Sequence, residues 1–515
     1  MTVPLCSGRV SCALNLPPRS MSSAYETVIG LETHVQLSTK SKAFCADRNR
    51  FGEDPNRNIS PVSLGYPGTL PMLNERQVRM AVKLGLALGC KINPRSTFDR
   101  KNYFYADLPK GYQITQDENP ICHGGALPLR FVPSSGPAPA PGNEPTAGPR
   151  SVQLHHIHIE EDAGKSIHAA GEAYSRVDLN RAGTPLLEIV TEPDLRSAAE
   201  VDAFMSGMRR LVRWLEVSDG NMQEGSLRCD VNVSVRPRGQ EAYGTRCEIK
   251  NMNSMKFARQ AIAYEVERQI ALVEAGEAVK QQTRQFDPAT GTTSTLRSKE
   301  DAHDYRYFPD PDLPPVLLSP AFIEEVRREI GVLPWQAYAH LQREFGLPAA
   351  DAHLLTEDRT TYTSFLEYAA ESPAVPELAK LWLNRILPWL DDNGRSAAEI
   401  PLTPEQIAVF QELVLAGDVA ASAANAKLLP ALLELPGDPA RRAESLGLVQ
   451  NTDTDFLGKL VGEVIAANPE KVTAYRKGKK GLIGFFMGEV MKKSGGSAGP
   501  QETRNLLTQA LDNPN

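Results

Sequence analysis

Tyr25–Leu37, YETVIGLETHVQL, reads as a β-strand, because β-branched residues and a partial apolar–polar alternation suit a half-buried strand. Residues two apart in a strand share a face, so Glu32 and His34 point the same way. A carboxylate beside an imidazole is half of a metal or acid–base site, and it is equally the pattern of a surface ion pair.

Outward from this strand, the N-terminal half reads as mixed α and β with many short strands. Gln77–Gly89 and Ala199–Leu215 have the apolar spacing of helices, and a further long helix is expected over Met255–Ala275. Strands are expected over Ala126–Val132, Val152–Ile159, Leu227–Val235 and Thr245–Lys250. Residues 132–150 are dominated by Pro, Gly, Ala and Ser and read as a mobile surface loop. Prolines over Phe308–Pro315 mark a boundary, beyond which Leu- and Ala-rich segments turn helical: Leu355–Ala370, Glu377–Leu390, Pro404–Leu415 and Asn425–Leu435. The expected class is α+β. A mixed α/β cradle domain with an antiparallel-rich sheet (23–318) precedes an all-α domain (319–450) and a small helical tail (451–515).

With 515 residues the chain exceeds one compact core. Its net charge of −7 excludes a globally basic nucleic-acid binder, so RNA contacts must come from local patches. No run reaches the roughly 18 apolar residues of a membrane span. Residues 1–22 lack a basic start and a cleavage site, and read as disordered or as an over-long start before Met21. The seven cysteines are scattered without a close CxxC pair, which points to a reducing, cytoplasmic setting.

Four short stretches hold the densest chemistry. The Glu32–His34 pair is the first. The second, His155–Ser166 (HHIHIEEDAGKS), sets three histidines beside three acids; its Gly-Lys-Ser end is not a P-loop, because Ile159 stands where the earlier glycine belongs. In the third, Glu224–Asn232, alternation puts Arg228, Asp230 and Asn232 on one face; in the fourth, Glu248–Ser254, Glu248 and Lys250 share a face. Such faces meet solvent or line a cleft, and carboxylates from separate strands hold hard cations when phosphates supply further ligands. Phe98–Tyr112 interleaves Arg100, Lys101 and Lys110 with aromatics, as either a nucleotide platform or a core strand does. Asp304–Asp312 repeats that mixture. Lys471–Lys493 carries seven Lys or Arg and one acid, Glu489, so it reads as a phosphate-backbone patch or a solvated helix face. Gly484 and Gly488, four apart, would let another helix pack closely there.

These stretches, with DLNRAGTPLLEIVTEPD (Asp178–Asp194), EIKNMNS (Glu248–Ser254) and DYRYFPDPDLPP (Asp304–Pro315), occur in an order that resembles the B subunit of the aspartyl/glutamyl-tRNA(Asn/Gln) amidotransferase. The resemblance runs over nearly the whole chain from Tyr25. It implies a cradle-like catalytic domain in complex with an amidase subunit (A) and a small subunit (C). ATP with Mg²⁺ would activate the side-chain carboxylate of Glu-tRNA(Gln) or Asp-tRNA(Asn), and ammonia from the amidase would complete the amide. By resemblance, metal positions fall on Glu32, His34, Glu161, Asp230 and Glu248, gathered on one cation, with Lys101, Glu161, Asp230 and Glu248 as catalytic groups. Nucleotide and substrate contacts are expected from Arg100, Lys101, Tyr105, Lys165, Arg228, Lys250, Asn251 and Arg306. The tail would bind tRNA through Arg476, Lys477, Lys479, Lys480, Lys492 and Lys493.

One region departs from the pattern. Where many members carry cysteine pairs for zinc, this chain has Phe44-Cys45-Ala46-Asp47 and Ser60-Pro61-Val62-Ser63, so no structural zinc is expected. Two rival readings remain. One is the glutamine-hydrolysing amidase itself, for which Ser494–Gly499 is a weak echo of a Ser-rich signature; the other is a tRNA-binding scaffold without catalysis.

Overall fold

The computed structural model describes residues 24–130, 150–168, 171, 173–250, 252, 254–298, 305–450, 453–494 and 498–512. The expectations for 1–22, for residues 132–149 of the loop and for Asn251 lie outside the described residues. Contact density divides the chain into two units, 1–333 and 334–515.

In the first unit the elements that position the site are β1 (Tyr25–Gln36), α1 (Glu75–Ala87), β2 (Asp99–Asn102), β3 (Tyr112–Thr115), β4 (Ser151–Glu161), β5 (Pro185–Thr191), α2 (Ala198–Trp214), β6 (Leu227–Pro237), β7 (Cys247–Lys250), α3 (Met255–Glu274), β8 (Gln282–Asp287), β9 (Thr292–Ser298), β10 (Phe308–Pro309) and α4 (Pro320–Arg328). A ten-stranded sheet runs β9–β8–β7–β6–β1–β5–β4 and ends with Cys122–His123 and Lys91–Ile92; Ala126–Pro128 also pairs with β4. Its neighbours are antiparallel apart from β7 and β8. That parallel pair needs a crossover, and α3 supplies it.

Alternation sorts β1 into two faces. Ile29, Leu31, Thr33 and Val35 are buried, and Gly30, Glu32, His34 and Gln36 face the other way. The buried face meets α2, whose Phe204, Met205, Met208 and Leu211 are also buried; the Thr33 hydroxyl lies 3.8 Å from Met205 Sδ. Each such side chain contributes about 1.5–3 kcal/mol by leaving water. Ser197 and Ser254 cap α2 and α3 by accepting the Glu200 and Phe257 N–H groups. With helices on one side, the polar side chains of β1, β4, β5, β6 and β7 gather on the opposite face.

The first unit extends past the boundary expected after Leu318. Helix α4 packs on α1 through Arg79, whose guanidinium bonds Glu325 at 2.5 Å, pairs with Glu329, and lies over the Phe322 ring.

The second unit is helical, as its amphipathic spacing implies. The expected Glu377–Leu390 and Asn425–Leu435 helices widen into π-turns at Trp382–Ile386 and Ala424–Leu428. Each π-turn precedes a proline, Pro388 or Pro430, whose ring and missing N–H interrupt the ordinary ladder. Residues 454–512 enclose their own core of Leu457, Val461, Val464, Phe486, Val490, Leu507 and Leu511. Gly484 and Gly488 do not serve close helix packing: a Cβ on either would meet open space.

Candidate active site

Strand register places the polar face row by row. Glu32 lies opposite Asp230, His34 opposite Arg228 on one side and Glu188 on the other, and Asn232 opposite Glu248. Two groups of ligand-type side chains result, each with donor atoms within 4.8 Å of one another: Glu32, Asp230 and Glu248, and His34, Glu160 and Glu188. Glu32 and His34 are neighbours on one face of β1, so the groups occupy successive rungs of the sheet.

In the first group, Asn232 Nδ2 donates to Glu32 at 3.0 Å and the Thr283 hydroxyl to Glu248 at 2.8 Å. Lys250 Nζ stands 2.9 Å from Asp230 and 2.9 Å from Glu248. Burial, then the charges of Glu188 and Glu248, push the Glu32 carboxyl above its ordinary value. A cavity of about 220 Å³ opens beside Glu32, lined among others by Gly30, Pro193, Asn232, Tyr243 and Arg246.

In the second group, His34 Nε2 lies 3.4 Å from Glu188 and 3.7 Å from Glu160, while His158 Nε2 lies 3.4 Å from Glu188 and 3.6 Å from Glu160. Burial opposes the charge on both imidazoles, but hydrogen bonds to the carboxylates outweigh it, holding His34 above its usual value and His158 up at about 10. Burial raises and the two imidazoles lower the Glu188 carboxyl, which ends well below the usual carboxylate range. His156 stacks on His158; burial and then the His158 charge bring it down to about 4.

The five expected metal positions therefore divide. Glu32, Asp230 and Glu248 converge, His34 joins the neighbouring group, and Glu161 is in neither. Strand parity is the reason: Glu160 shares the face of His156 and His158, and Glu161 points to the other side, where it pairs with Lys110 and accepts the Ile114 N–H at 3.0 Å. Glu160 and Glu188 are the site residues that sequence reasoning passed over. The parity of Glu160 with His158 was a usable signal, as was a lone acid in the apolar PLLEIVT strand for Glu188.

Around these groups, Lys101 Nζ lies 4.9 Å from the Tyr305 ring centroid. Burial opposes its charge, and Glu160, Tyr307 and Glu188 together hold its pKa above that of an ordinary lysine. Arg228 reaches Asp162 at 2.7 Å, and Gln36 donates to the same carboxylate at 2.7 Å. Arg100 is engaged elsewhere, bonded to Asp310 at 2.8 Å and Asp312 at 2.6 Å and stacked on Tyr112. Tyr105 is exposed, as is its neighbour Phe104. Lys165 is exposed on a separate two-stranded hairpin, and Arg306 is exposed with its carbonyl accepting from Asn102.

In the tail, Lys477, Lys479 and Lys492 are exposed. Arg476 bonds the Leu511 carbonyl, Lys480 reaches Asp512 at 2.5 Å, and Lys493 reaches Glu463 at 2.7 Å. At the cysteine-poor loop, the Ser60 and Ser63 hydroxyls donate to Asp47 at 3.0 and 2.5 Å, and the fully buried Lys42 ammonium donates to the Asn58 carbonyl at 2.6 Å.

Comparison with known proteins agrees over nearly the full length. Residues 27–324 match the family described as GatB/GatE catalytic domain, and residues 363–511 match the GatB domain. The chain is 48% identical over 493 residues to the B subunit of the aspartyl/glutamyl-tRNA(Asn/Gln) amidotransferase of Alkalilimnicola ehrlichii, covering 95% of this chain and 99% of that one. It is 47% identical over 494 residues to the protein of the same name in Picosynechococcus sp. and 46% identical over 507 residues to the one in Salinibacter ruber; both alignments cover 95% of this chain, with 98% and 97% of the relatives.

Proposed function

The chain belongs to the B-subunit family of the aspartyl/glutamyl-tRNA(Asn/Gln) amidotransferase, a ligase, and on that premise we propose that its polar sheet face activates the side-chain carboxylate of a misacylated tRNA with ATP. The single observation that carries this reading is the convergence of six ligand-type side chains from five strands into two adjacent groups. A carboxylate is a poor acyl donor until an oxygen of it bonds the γ-phosphorus and ADP leaves. Attack by ammonia on the acyl carbon then forms the C–N bond, phosphate departs, and the surplus proton on nitrogen passes to phosphate.

The donor sets suit Mg²⁺. Mg²⁺ takes oxygen ligands at about 2.1 Å, and Glu32, Asp230 and Glu248 present hard carboxylate oxygens within 4.8 Å of one another, so small side-chain shifts would close them around one ion. Glu160 and Glu188 with His34 offer a second set, in which the imidazole must be neutral to ligate. Bound there, Mg²⁺ supplies charge neutralisation at the phosphates. Lys101 and Arg228 flank the groups and would orient the anionic reactants through charge. No zinc is proposed at Cys45, because two hydroxyls and a carboxylate already bonded to one another replace thiolates there. An amidase partner, a small third partner, a cytoplasmic setting and tRNA contact by the exposed lysines of the tail complete the reading. Among the described residues no helix is long and apolar enough to cross a membrane.

The test is Asp230→Ala in the complex with its partner proteins. ATP-dependent amide formation on misacylated tRNA should be lost while glutamine hydrolysis continues. Retained amide formation would reject the assignment and favour an RNA-holding scaffold.

A further inference from the structure

Lys250 follows Glu248 by two residues on β7, so both side chains rise from the same face of the sheet. Its ammonium is shared equally, 2.9 Å from Asp230 Oδ2 and 2.9 Å from Glu248 Oε1. These are two of the three carboxylates whose oxygens converge with Glu32. A divalent ion held by the three would draw on two carboxylates that Lys250 also uses, and ion and ammonium would repel each other at such range. Lysine carries its charge on a flexible stem, and the Lys250 side chain is 36% exposed, so it has room to leave. Asp230 and Glu248 stand on paired strands, β6 and β7, with shorter stems than lysine, and Glu248 is also held by the Thr283 hydroxyl.

We propose that Lys250 is an internal counter-ion that competes with the divalent cation for Asp230 and Glu248 and, once displaced, becomes a ligand for the nucleotide phosphate. This rests on the reading that the three carboxylates hold a cation. It goes further by making cation and nucleotide binding mutually reinforcing. The cation frees the ammonium, the freed ammonium gains a phosphate partner, and by linkage the nucleotide tightens cation binding by the same factor. A competitor that occupies the site most of the time weakens apparent affinity in proportion to that occupancy, so its removal should be visible as about a tenfold gain.

The experiment measures Mn²⁺ binding to the full-length chain by electron paramagnetic resonance, with and without the non-hydrolysable ATP analogue AMP-PNP. Lys250→Met should bind Mn²⁺ about tenfold more tightly than wild type without nucleotide and should lose the mutual enhancement between Mn²⁺ and AMP-PNP. Lys250→Arg, which keeps the charge, should stay close to wild type. Lys250→Gln serves in place of Met if thermal melting shows the latter unfolded. Unchanged or weaker Mn²⁺ binding by the neutral variants, with binding lost in Asp230→Asn, overturns the counter-ion role and leaves the cation site standing. Wild-type Mn²⁺ binding by Asp230→Asn removes the cation site and the inference with it.

Discussion

Replacing Glu265 by Ala should unfold the first unit at markedly lower temperature, and the structure gives the size of the effect. Glu265 is fully buried on α3, where its carboxylate accepts from Arg268 at 2.6 and 3.0 Å, Gln269 at 2.9 Å and the Thr293 hydroxyl at 3.1 Å, with Arg284 Nε at 3.2 Å. Arg284 belongs to β8 and is only 8% exposed, so losing the carboxylate leaves its guanidinium buried with neutral partners. Breaking a buried pair from one side costs about 3–5 kcal/mol. At about 2 °C per kcal/mol, the low end that suits a unit of more than about 250 residues, that is a fall on the order of 6–10 °C. Glu463→Ala is the control, because the Lys493–Glu463 pair is as short, 2.7 Å, yet 43% and 60% exposed. Exposed pairs are worth at most about 1 kcal/mol. Calorimetry of the full chain reads both variants. The network also ties β7, which carries Glu248, to α3, since Arg268 reaches the Cys247 sulfur at 3.5 Å. Faster amide exchange across β7 and β8 should therefore accompany the fall in Tm. If Glu265→Ala moves the first unit's transition no further than Glu463→Ala moves the second's, burial has been given too much weight.

The same carboxylate gives a pH dependence. Burial raises the Glu265 pKa, but hydrogen bonds from Arg268 and Gln269 outweigh it, so the folded value lies below the ordinary 4.5. A depressed carboxylate stabilises fully above its unfolded pKa and loses that contribution as pH falls through the folded one. The stability gap between wild type and Glu265→Gln should stay constant from neutral pH down to about 5 and close under more acid conditions, as urea titrations will measure. In the tail, Phe486→Ala should cost about 3–5 kcal/mol, because the ring is fully buried among Leu457, Val461, Leu507 and Leu511; circular dichroism melts check the loss.

The residues themselves determined which side chains share a face. With a period of two, Glu32 must stand with His34, Arg228 with Asp230 and Asn232, and Glu248 with Lys250, whatever the rest of the chain does. The same local rules placed α2 and α3, whose serine caps and apolar spacing lie within a single segment. Only the tertiary structure decided which faces met. Strand order and register bring β5 between β1 and β4, and this delivers Glu188 to His34 and turns toward it the face of β4 that parity had already given to His158 and Glu160. It also committed Arg100 to Asp310 and Asp312, more than 200 positions along the chain, where the aromatic-basic pattern left its partner open. Parity is a property of one strand and is written in a few neighbouring residues. Pairing is a property of distant strands, set by how the whole sheet buries its apolar face.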